Sequence, residues 1–264
     1  MSTRDLHRDV VRLTALVADP SGETRFVDET VPYADTSRPI HVTETAPAVS
    51  ISFRWTPGDF DFNFHPSPRR RLVLVTEGAL EITPSNDTAR IFRAGDLMEI
   101  RDLTGRGHRS KSVGGKPFRS AFIALDDDIA LDRREPLDGT PPPEAGPGVD
   151  YLHNQEDAAG RSFCAPARLP FIFGGPEGYV TPELPLTGFR FSYAAGDLDY
   201  SWHPAPRRQA VLVLSGGIAM EYGSGQRATV SAGSFLIGED TDGQGHISRA
   251  EGGKPRFSVF AHLA

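Results

Sequence analysis

A single cysteine, Cys164, stands in a chain of 264 residues. One thiol excludes an intramolecular disulfide and a Cys-based zinc cluster, and it fits a reducing compartment. Flanked by Phe163 and Ala165, it reads as a small buried hydrophobe before it reads as a nucleophile. Long apolar runs are missing too. No stretch approaches the ~20 residues needed to span a bilayer, and the start Met-Ser-Thr-Arg-Asp-Leu-His has no signal-peptide core. The expectation is a cytoplasmic protein with no membrane partner. Positive charge is in deficit: 28 Lys plus Arg against 35 Asp plus Glu give a net −7 and a pI near 5.6. That argues against a nucleic-acid partner, because neutralising phosphates needs a basic face. No glycine-rich phosphate loop joins a strand to a helix, so no nucleotide cofactor is expected. Ser215 in Leu-Ser-Gly-Gly has no helix after it and is not a nucleophile elbow.

Turn formers, by contrast, are abundant. The 27 Gly and 22 Pro interrupt helices and argue for short strands joined by turns. The chain also repeats itself. Phe53 to Leu125 reappears from Phe191 to Leu263 at a constant offset of 138 residues, the separation of His203 from His65. His65-Pro66-x-Pro68-Arg69-Arg70 falls on His203-Pro204-x-Pro206-Arg207-Arg208, and Gly105-x-Gly107-His108-x-Ser110 falls on Gly243-x-Gly245-His246-x-Ser248. Gly114-Gly115-Lys116-Pro117 likewise falls on Gly252-Gly253-Lys254-Pro255. Two copies at so long a period mean two domains, not a solenoid.

Asp126-Asp127-Asp128 and the stretch from Arg133 to Gly148, with Pro141-Pro142-Pro143, read as a linker, semi-extended where the prolines cluster. This places an N-terminal domain over 1–126, a linker over 127–150 and a C-terminal domain over 151–264. Leu6, Val10, Leu13 and Leu16 fall at helical spacing and predict an amphipathic helix over 5–17, whose blander use is to cover an edge of the first domain. Within each copy the periodicity is β: runs such as 71–75, 80–83, 210–214 and 257–260 are short and separated by Gly, Pro or Asn-Asp. Two all-β domains of many short strands read as barrels or sandwiches.

The repeated histidine motifs resemble those of the cupin superfamily, whose first motif runs H-x-H-x-x-x-E-x-x-x-x-x-x-G. His65, Ser67, Arg71 and Gly78 occupy its marked positions in copy one, and His203, Ala205, Gln209 and Gly216 in copy two. The second motif is similar to Gly105-x-x-His108 and Gly243-x-x-His246, with Leu103 and Thr241 where the family has proline and two extra residues after Gly95 and Gly233. The resemblance implies two tandem jelly-roll barrels (a bicupin) and a metal held inside a barrel. Each copy keeps two histidines where the family has three and a glutamate.

Strand alternation places His203, Ala205, Arg207 and Gln209 on one face if the Pro-x-Pro segment stays extended. His203, Gln209 and His246 are then the candidate ligands for Fe, Mn, Ni or Zn, set against hydrogen-bonded histidines in a metal-free pocket. In copy one Arg71 stands in the glutamate position and repels a dication by about 4 kcal/mol per unit charge at 4 Å with an effective permittivity near 20. An anion held by His65, Arg71 and His108 is the candidate there, or else an Arg71 pair with Glu99 or Asp102. Arg207 is a candidate partner for a substrate carboxylate or enolate, against a salt bridge to Asp240. His262 could supply a third imidazole, and Tyr193, Trp202, Tyr222, Phe235 and Phe257 an aromatic wall, with packing the default for all six.

The leading expectation is a metal-dependent enzyme acting on a small organic molecule in the C-terminal barrel, with His203, His246 and Arg207 as catalytic residues. Dioxygenases, isomerases and cyclases are the reaction types the resemblance implies. Two other readings stand beside it: a metal-free protein that binds or senses an anionic metabolite, and metal-independent catalysis with His203 or His246 as acid or base. The two copies could pair with each other as a pseudo-dimer, leaving a monomer, or the chain could form a homodimer.

Overall fold

The computed structural model describes residues 7–37, 39–125, 135–137, 139–175 and 177–264. The chain is built almost wholly of strands. Among the described residues its only regular helical turn is a 3-10 turn at Glu251–Gly253, and no helix is long and apolar enough to cross a membrane.

The first half runs β1 (Val11–Ala18), β2 (Thr24–Val31), β3 (Ile40–Val42), β4 (Ser50–Thr56), β5 (Asp61–His65), β6 (Arg71–Glu77), β7 (Ala79–Pro84), β8 (Arg90–Arg93), β9 (Leu97–Arg101), β10 (His108–Ser112) and β11 (Phe118–Ala124). A short β12 (Glu135–Pro136) leads to the second half: β13 (Gly148–Glu156), β14 (Ser162–Pro170), β15 (Phe173–Gly175), β16 (Gly178–Val180), β17 (Leu184–Ala194), β18 (Asp199–His203), β19 (Gln209–Ser215), β20 (Gly217–Tyr222), β21 (Arg227–Ser231), β22 (Phe235–Gly238), β23 (His246–Ala250) and β24 (Arg256–Leu263).

Strand order identifies the architecture. In the first half β4-β11-β6-β9 form one face and β5-β10-β7-β8 the other; in the second, β17-β24-β19-β22 face β18-β23-β20-β21. Numbering the eight strands of either half 1 to 8, the sheets read 1-8-3-6 and 2-7-4-5, the jelly-roll order. The two faces of each half belong to separate hydrogen-bonded sheets, so each half is a jelly-roll sandwich and no closed barrel forms. The larger faces of both halves join through β17–β4, pairing Leu184 with Ile51, into one 16-stranded sheet.

Alternation along the strands assigns two different cores. On β6, Leu72 and Leu74 point to the layer between the halves, where they share a cluster with Phe53, Phe191, Leu212 and Phe235. Val73 and Val75 point the other way, into the first jelly roll with Leu80, Ile82 and Phe92. On β19, Leu212 lies between the halves while Val211 and Val213 fill the second interior with Ile218, Met220 and Tyr222. The stacked pair Phe53–Phe235, with centroids 4.2 Å apart, ties the halves across the shared layer.

One sequence expectation needs correction. Residues 11–17 are strand, not helix: β1 pairs with β2 antiparallel and with β9 parallel, so it extends the sheet edge (residues 5 and 6 lie outside the described part). The spacing of Leu13 and Leu16 also suits a strand whose two faces are both covered, and Leu13 and Leu16 do bury into different clusters. The proline stretch is packed where it is described. Pro142 accepts a turn bond from Ala145, and fully buried Ala145 packs with Trp55 and Phe171, while β13 already begins at Gly148.

The repeat extends beyond Phe53 to Leu125. The 138-residue offset also carries β1 onto β13, β2 onto β14 and β3 onto β16. The halves exchange these last two strands. β3 pairs with β17 of the second half, Val42 opposite Ser192, and β16 pairs with β4 of the first, Val180 opposite Arg54. Thr43 and Thr181 clamp the exchange identically. The Thr43 N–H donates to the Phe191 carbonyl at 3.1 Å and its hydroxyl accepts from the Phe191 N–H at 3.1 Å; Thr181 does the same with Phe53 at 3.0 Å in both directions.

Candidate functional site

Each half sets two histidines opposite one another by the same device. β23 runs antiparallel to β18 with His246 against His203, β10 runs antiparallel to β5 with His108 against His65, and both registers slip just beyond the pair. Gly245 permits this approach. Its φ is +66°, and a Cβ there would meet the His203 carbonyl oxygen at 2.0 Å; Gly107, with φ +70°, would meet that of His65 at 1.9 Å. The imidazole centroids consequently lie 4.5 Å apart in the second half and 4.6 Å apart in the first.

Every one of these rings is anchored through Nδ1. His203 donates to the Ser201 carbonyl at 2.6 Å and His65 to that of Asn63 at 2.7 Å. His246 donates to the fully buried Asp240 carboxylate at 2.5 Å, and His108 to fully buried Asp102 at 2.7 Å. With the proton on Nδ1, the Nε2 of a neutral ring keeps a lone pair for a proton, a donor group or a cation. Burial holds His203 below the ordinary histidine value, and the neighbouring His246 adds to it against the Ser201 carbonyl, so His203 is neutral near pH 7. Burial does the same to His65.

Around the second pair lies a cavity of about 650 Å³. Gln209, His203 and His246 all line it, so the structure brings together the three predicted ligands. Its inner walls are apolar, formed by Val211, Ile218, Met220, Leu236 and Phe260. Gln209 is buried, and its Oε1 has no hydrogen-bond partner among the described residues. Because of the strand exchange the cavity is not made by the second half alone: Asp35, Pro39, Ile40 and Val42 of the first half complete its wall.

Arg207 is not among the lining residues. Residues 204–208 form a bend instead of a strand, so alternation does not carry the inward face from Gln209 back to Arg207, which is exposed, with its Nη1 3.4 Å from His262 Nδ1. Nor does it pair with Asp240, whose Oδ2 is taken by His246. His262 is 2 % exposed and lies between arginines instead of joining the histidine pair; burial first, then Arg207 and Arg190, lower it to about 4. The proposed aromatic wall is absent from the cavity: Phe235 and Phe257 fill the layer between the halves, Tyr193 is buried beside His41, Tyr222 donates to Asn154 Oδ1 at 2.7 Å, and Trp202 is exposed.

Two other arginines occupy the cavity, and the sequence reading missed both. Arg256 is 3 % exposed, with Nε and Nη1 unpartnered among the described residues, and burial lowers it to about 10. Arg190 stacks on Phe260 with its guanidinium carbon 5.6 Å from the ring centre; burial, and then Arg207, lower its pKa as well. The signal lay in the repeat. Arg256 stands where copy one has Phe118, and Arg190 where it has Ser52, so charge enters at positions whose counterparts are buried. The cavity's two carboxylates are engaged elsewhere, Asp199 with Arg249 at 2.8 Å and Asp35 with the Ser37 hydroxyl at 2.6 Å.

The first-half site differs. Glu99 pairs with Arg70 and Arg101, and Asp102 with His108, so neither is the partner of Arg71. Arg71 and Arg54 both stack on Phe122, with guanidinium carbons 5.2 and 4.8 Å from its centre, and Arg54 Nη1 binds Glu177 at 2.8 Å.

No family model matches the chain, and no curated protein does. Solved structures similar to it include a cupin 2 conserved barrel domain protein from Leptotrichia buccalis, 13 % identical over 88 % of this chain and 91 % of that one, with a TM-score of 0.42. A putative glyoxylate induced protein from Pseudomonas aeruginosa is 11 % identical over 86 % and 80 %, with a TM-score of 0.40. A mutant of Bacillus subtilis oxalate decarboxylase is 13 % identical over 87 % and 75 %, with a TM-score of 0.32. These scores are too low to align a site, and the fold rests on strand order and on the two-histidine motif in each half. By strand order the chain is a tandem jelly-roll protein, and the two-histidine motif in each half resembles that of the cupin superfamily.

Proposed function

We propose that the second half binds a small organic anion with an apolar body, its anionic head on Arg190 and Arg256 and its body against Ile218, Met220 and Leu236. One observation carries this reading: a guanidinium that is 3 % exposed, with Nε and Nη1 unpartnered, shares a largely apolar cavity with a second guanidinium. A buried cation without a counter-ion is unfavourable unless a ligand supplies one, and a carboxylate matches the guanidinium fork. Gln209 and the histidine Nε2 atoms offer polar contacts for the rest of the head group.

The same observation weighs against a divalent metal on His203, Gln209 and His246. That donor set contains no carboxylate or thiolate, and among the described residues no cluster of three or more His, Cys, Asp or Glu side chains could hold a metal. A dication 8 Å from a guanidinium is repelled by about 4 kcal/mol at an effective permittivity of 20, and two guanidiniums line this cavity. The residues present therefore fit an anion better than a metal.

Titration calorimetry with acetate, hexanoate, benzoate and benzamide tests the proposal. Benzoate and hexanoate bind one per chain, benzamide does not bind, and Arg190→Met or Arg256→Met weakens benzoate at least tenfold. Benzoate binding that survives both substitutions refutes it, as does a stoichiometric metal that Gln209→Ala removes. A second reading is favoured by the buried Asp240 behind His246: with its Nδ1–H held by that carboxylate, His246 Nε2 is placed to take a proton from the bound acid. Deuterium uptake from solvent at the carbon next to the carbonyl of phenylpyruvate, faster than in buffer and lost in Asp240→Asn, is its expected sign; uptake at the buffer rate excludes it.

A further inference from the structure

A second cavity, of about 270 Å³, lies in the layer between the halves. Its floor is apolar, made by Leu13, Val31, Leu72, Leu125, Phe189 and Phe191. It shares no lining residue with the histidine cavity. Alternation on β17 keeps the two apart, with Phe189 and Phe191 facing this one and Arg190 and Ser192 the other.

The repeat shows what such a space holds. At the 138-residue offset Leu13 aligns with Tyr151, and both sit at the same register: β1 pairs with β9 through Thr14 and Met98, β13 with β22 through Leu152 and Leu236. In the second half the Tyr151 ring packs into the layer, stacked on Phe235 with centroids 5.2 Å apart and planes 16° apart. In the first half Leu13 stands for that tyrosine and Leu97 for that phenylalanine, while Val31 and Ala46 stand for the larger Leu169 and Leu184. Leu72 and Phe189 exceed their counterparts Ala210 and Ile51 and return part of the volume. What remains is still larger than the roughly 150 Å³ that suffices for benzene in an apolar cavity.

The rim decides the polarity of the guest. Arg70 binds Glu99 at 2.6 Å, and Arg101 binds Glu99 at 2.5 Å and Glu29 at 2.7 and 2.8 Å, so these charges compensate one another. With exposed Glu44 the rim has three carboxylates against two guanidiniums, which disfavours an anion, and a cation would meet both guanidiniums. Glu29 and Glu99 keep lone pairs beyond those their arginines use and can accept an O–H. Burial, and then Glu239, raise the Tyr151 phenol, so Glu239 acts on that hydroxyl. Glu239 aligns with Arg101, and a phenol seated like Tyr151 therefore brings its hydroxyl to this group of charges.

We propose that this cavity binds a neutral phenol, its ring in the place that Tyr151 fills in the second half and its hydroxyl on the ion pairs of Arg101 with Glu29 and Glu99. The site is separate from the histidine cavity and does not rest on the anion reading.

The probe is p-cresol, the tyrosine side chain as a free molecule. In titration calorimetry the wild type binds p-cresol at least threefold more tightly than toluene, which has the same ring and methyl group without the hydroxyl. Leu13→Tyr, which supplies the ring covalently, weakens p-cresol at least tenfold, and so does Ala46→Leu, which carries the residue found at the equivalent position 184. Absence of p-cresol binding to wild type overturns the proposal, and so does binding that Leu13→Tyr leaves intact, because the guest then sits elsewhere. Equal affinity for toluene overturns it too, since the hydroxyl then meets nothing at the rim. If circular dichroism shows that Leu13→Tyr is unfolded, Ala46→Leu decides in its place. Benzoate does not enter this experiment, so it succeeds or fails independently of the reading of the histidine cavity.

Discussion

Replacing Arg256 with methionine should make the unliganded protein more stable while destroying its ligand response. Burial lowers this guanidinium from its ordinary value to about 10, which at 1.36 kcal/mol per unit is a penalty of about 3 kcal/mol on the charged form in the fold. The sign follows from proton binding. Below pH 10 the side chain is protonated in both folded and unfolded chains, so the penalty is fully present at neutral pH; it declines only above about pH 10, where the unfolded chain alone keeps the proton. Methionine removes the charge and retains much of the volume, and the fold already accepts a buried apolar residue there, since Phe118 at the equivalent position is 4 % exposed. A gain of about 1–3 kcal/mol is expected, and a 2 kcal/mol gain corresponds to roughly 4–8 °C in Tm for a domain of this order of size. Thermal and urea unfolding in a low-salt zwitterionic buffer measures it. Adding benzoate at a hundredfold excess over its Kd should then stabilise the wild type by about 2.7 kcal/mol and leave Arg256→Met unmoved. An Arg256→Met protein that is less stable than wild type without ligand, or that gains as much from benzoate, refutes the view of Arg256 as an uncompensated cation awaiting an anion.

Two further outcomes follow from the same geometry. His262 is held near 4 by burial and by Arg207 and Arg190, whereas the unfolded chain titrates near 6.5, so stability falls as pH drops from 6.5 toward 4; about 2 kcal/mol is lost from this residue by pH 5, and urea midpoints of His262→Gln should lack that part of the slope. Gly245→Ala would drive a Cβ into the His203 carbonyl from a positive φ, so β18 and β23 must part; the expected destabilisation is about 1–3 kcal/mol with loss of benzoate binding, whereas an alanine variant that binds normally would show that the close approach is dispensable.

Much of this was legible in the residues. The duplicated His-Pro-x-Pro-Arg-Arg and Gly-x-Gly-His segments marked His203 and His246 as residues that meet Gln209 around one point, and all three line one cavity, with His203 opposite His246. Arg207 was misplaced because alternation was extended through a Pro-x-Pro bend where no strand exists. β1 was misread because a strand covered on both faces has no alternation to display, leaving Leu13 and Leu16 to mimic a helical stripe. Arg190 and Arg256 went unnoticed because neither belongs to a repeated motif; both are places where the copies differ.

The sequence by itself determined the β class, the duplication and the paired histidines, because turn residues, a constant offset and strand periodicity are all local or self-referential signals. Tertiary structure alone decided what surrounds those histidines. The exchange of β3 and β16 is made by backbone pairing between segments more than a hundred residues apart, and it brings Pro39 to the wall of the second cavity and Glu177 to Arg54. That Arg54 meets Glu177, and that Pro39 reaches the cavity of the second half, are set by that pairing, and no run of neighbouring residues records it.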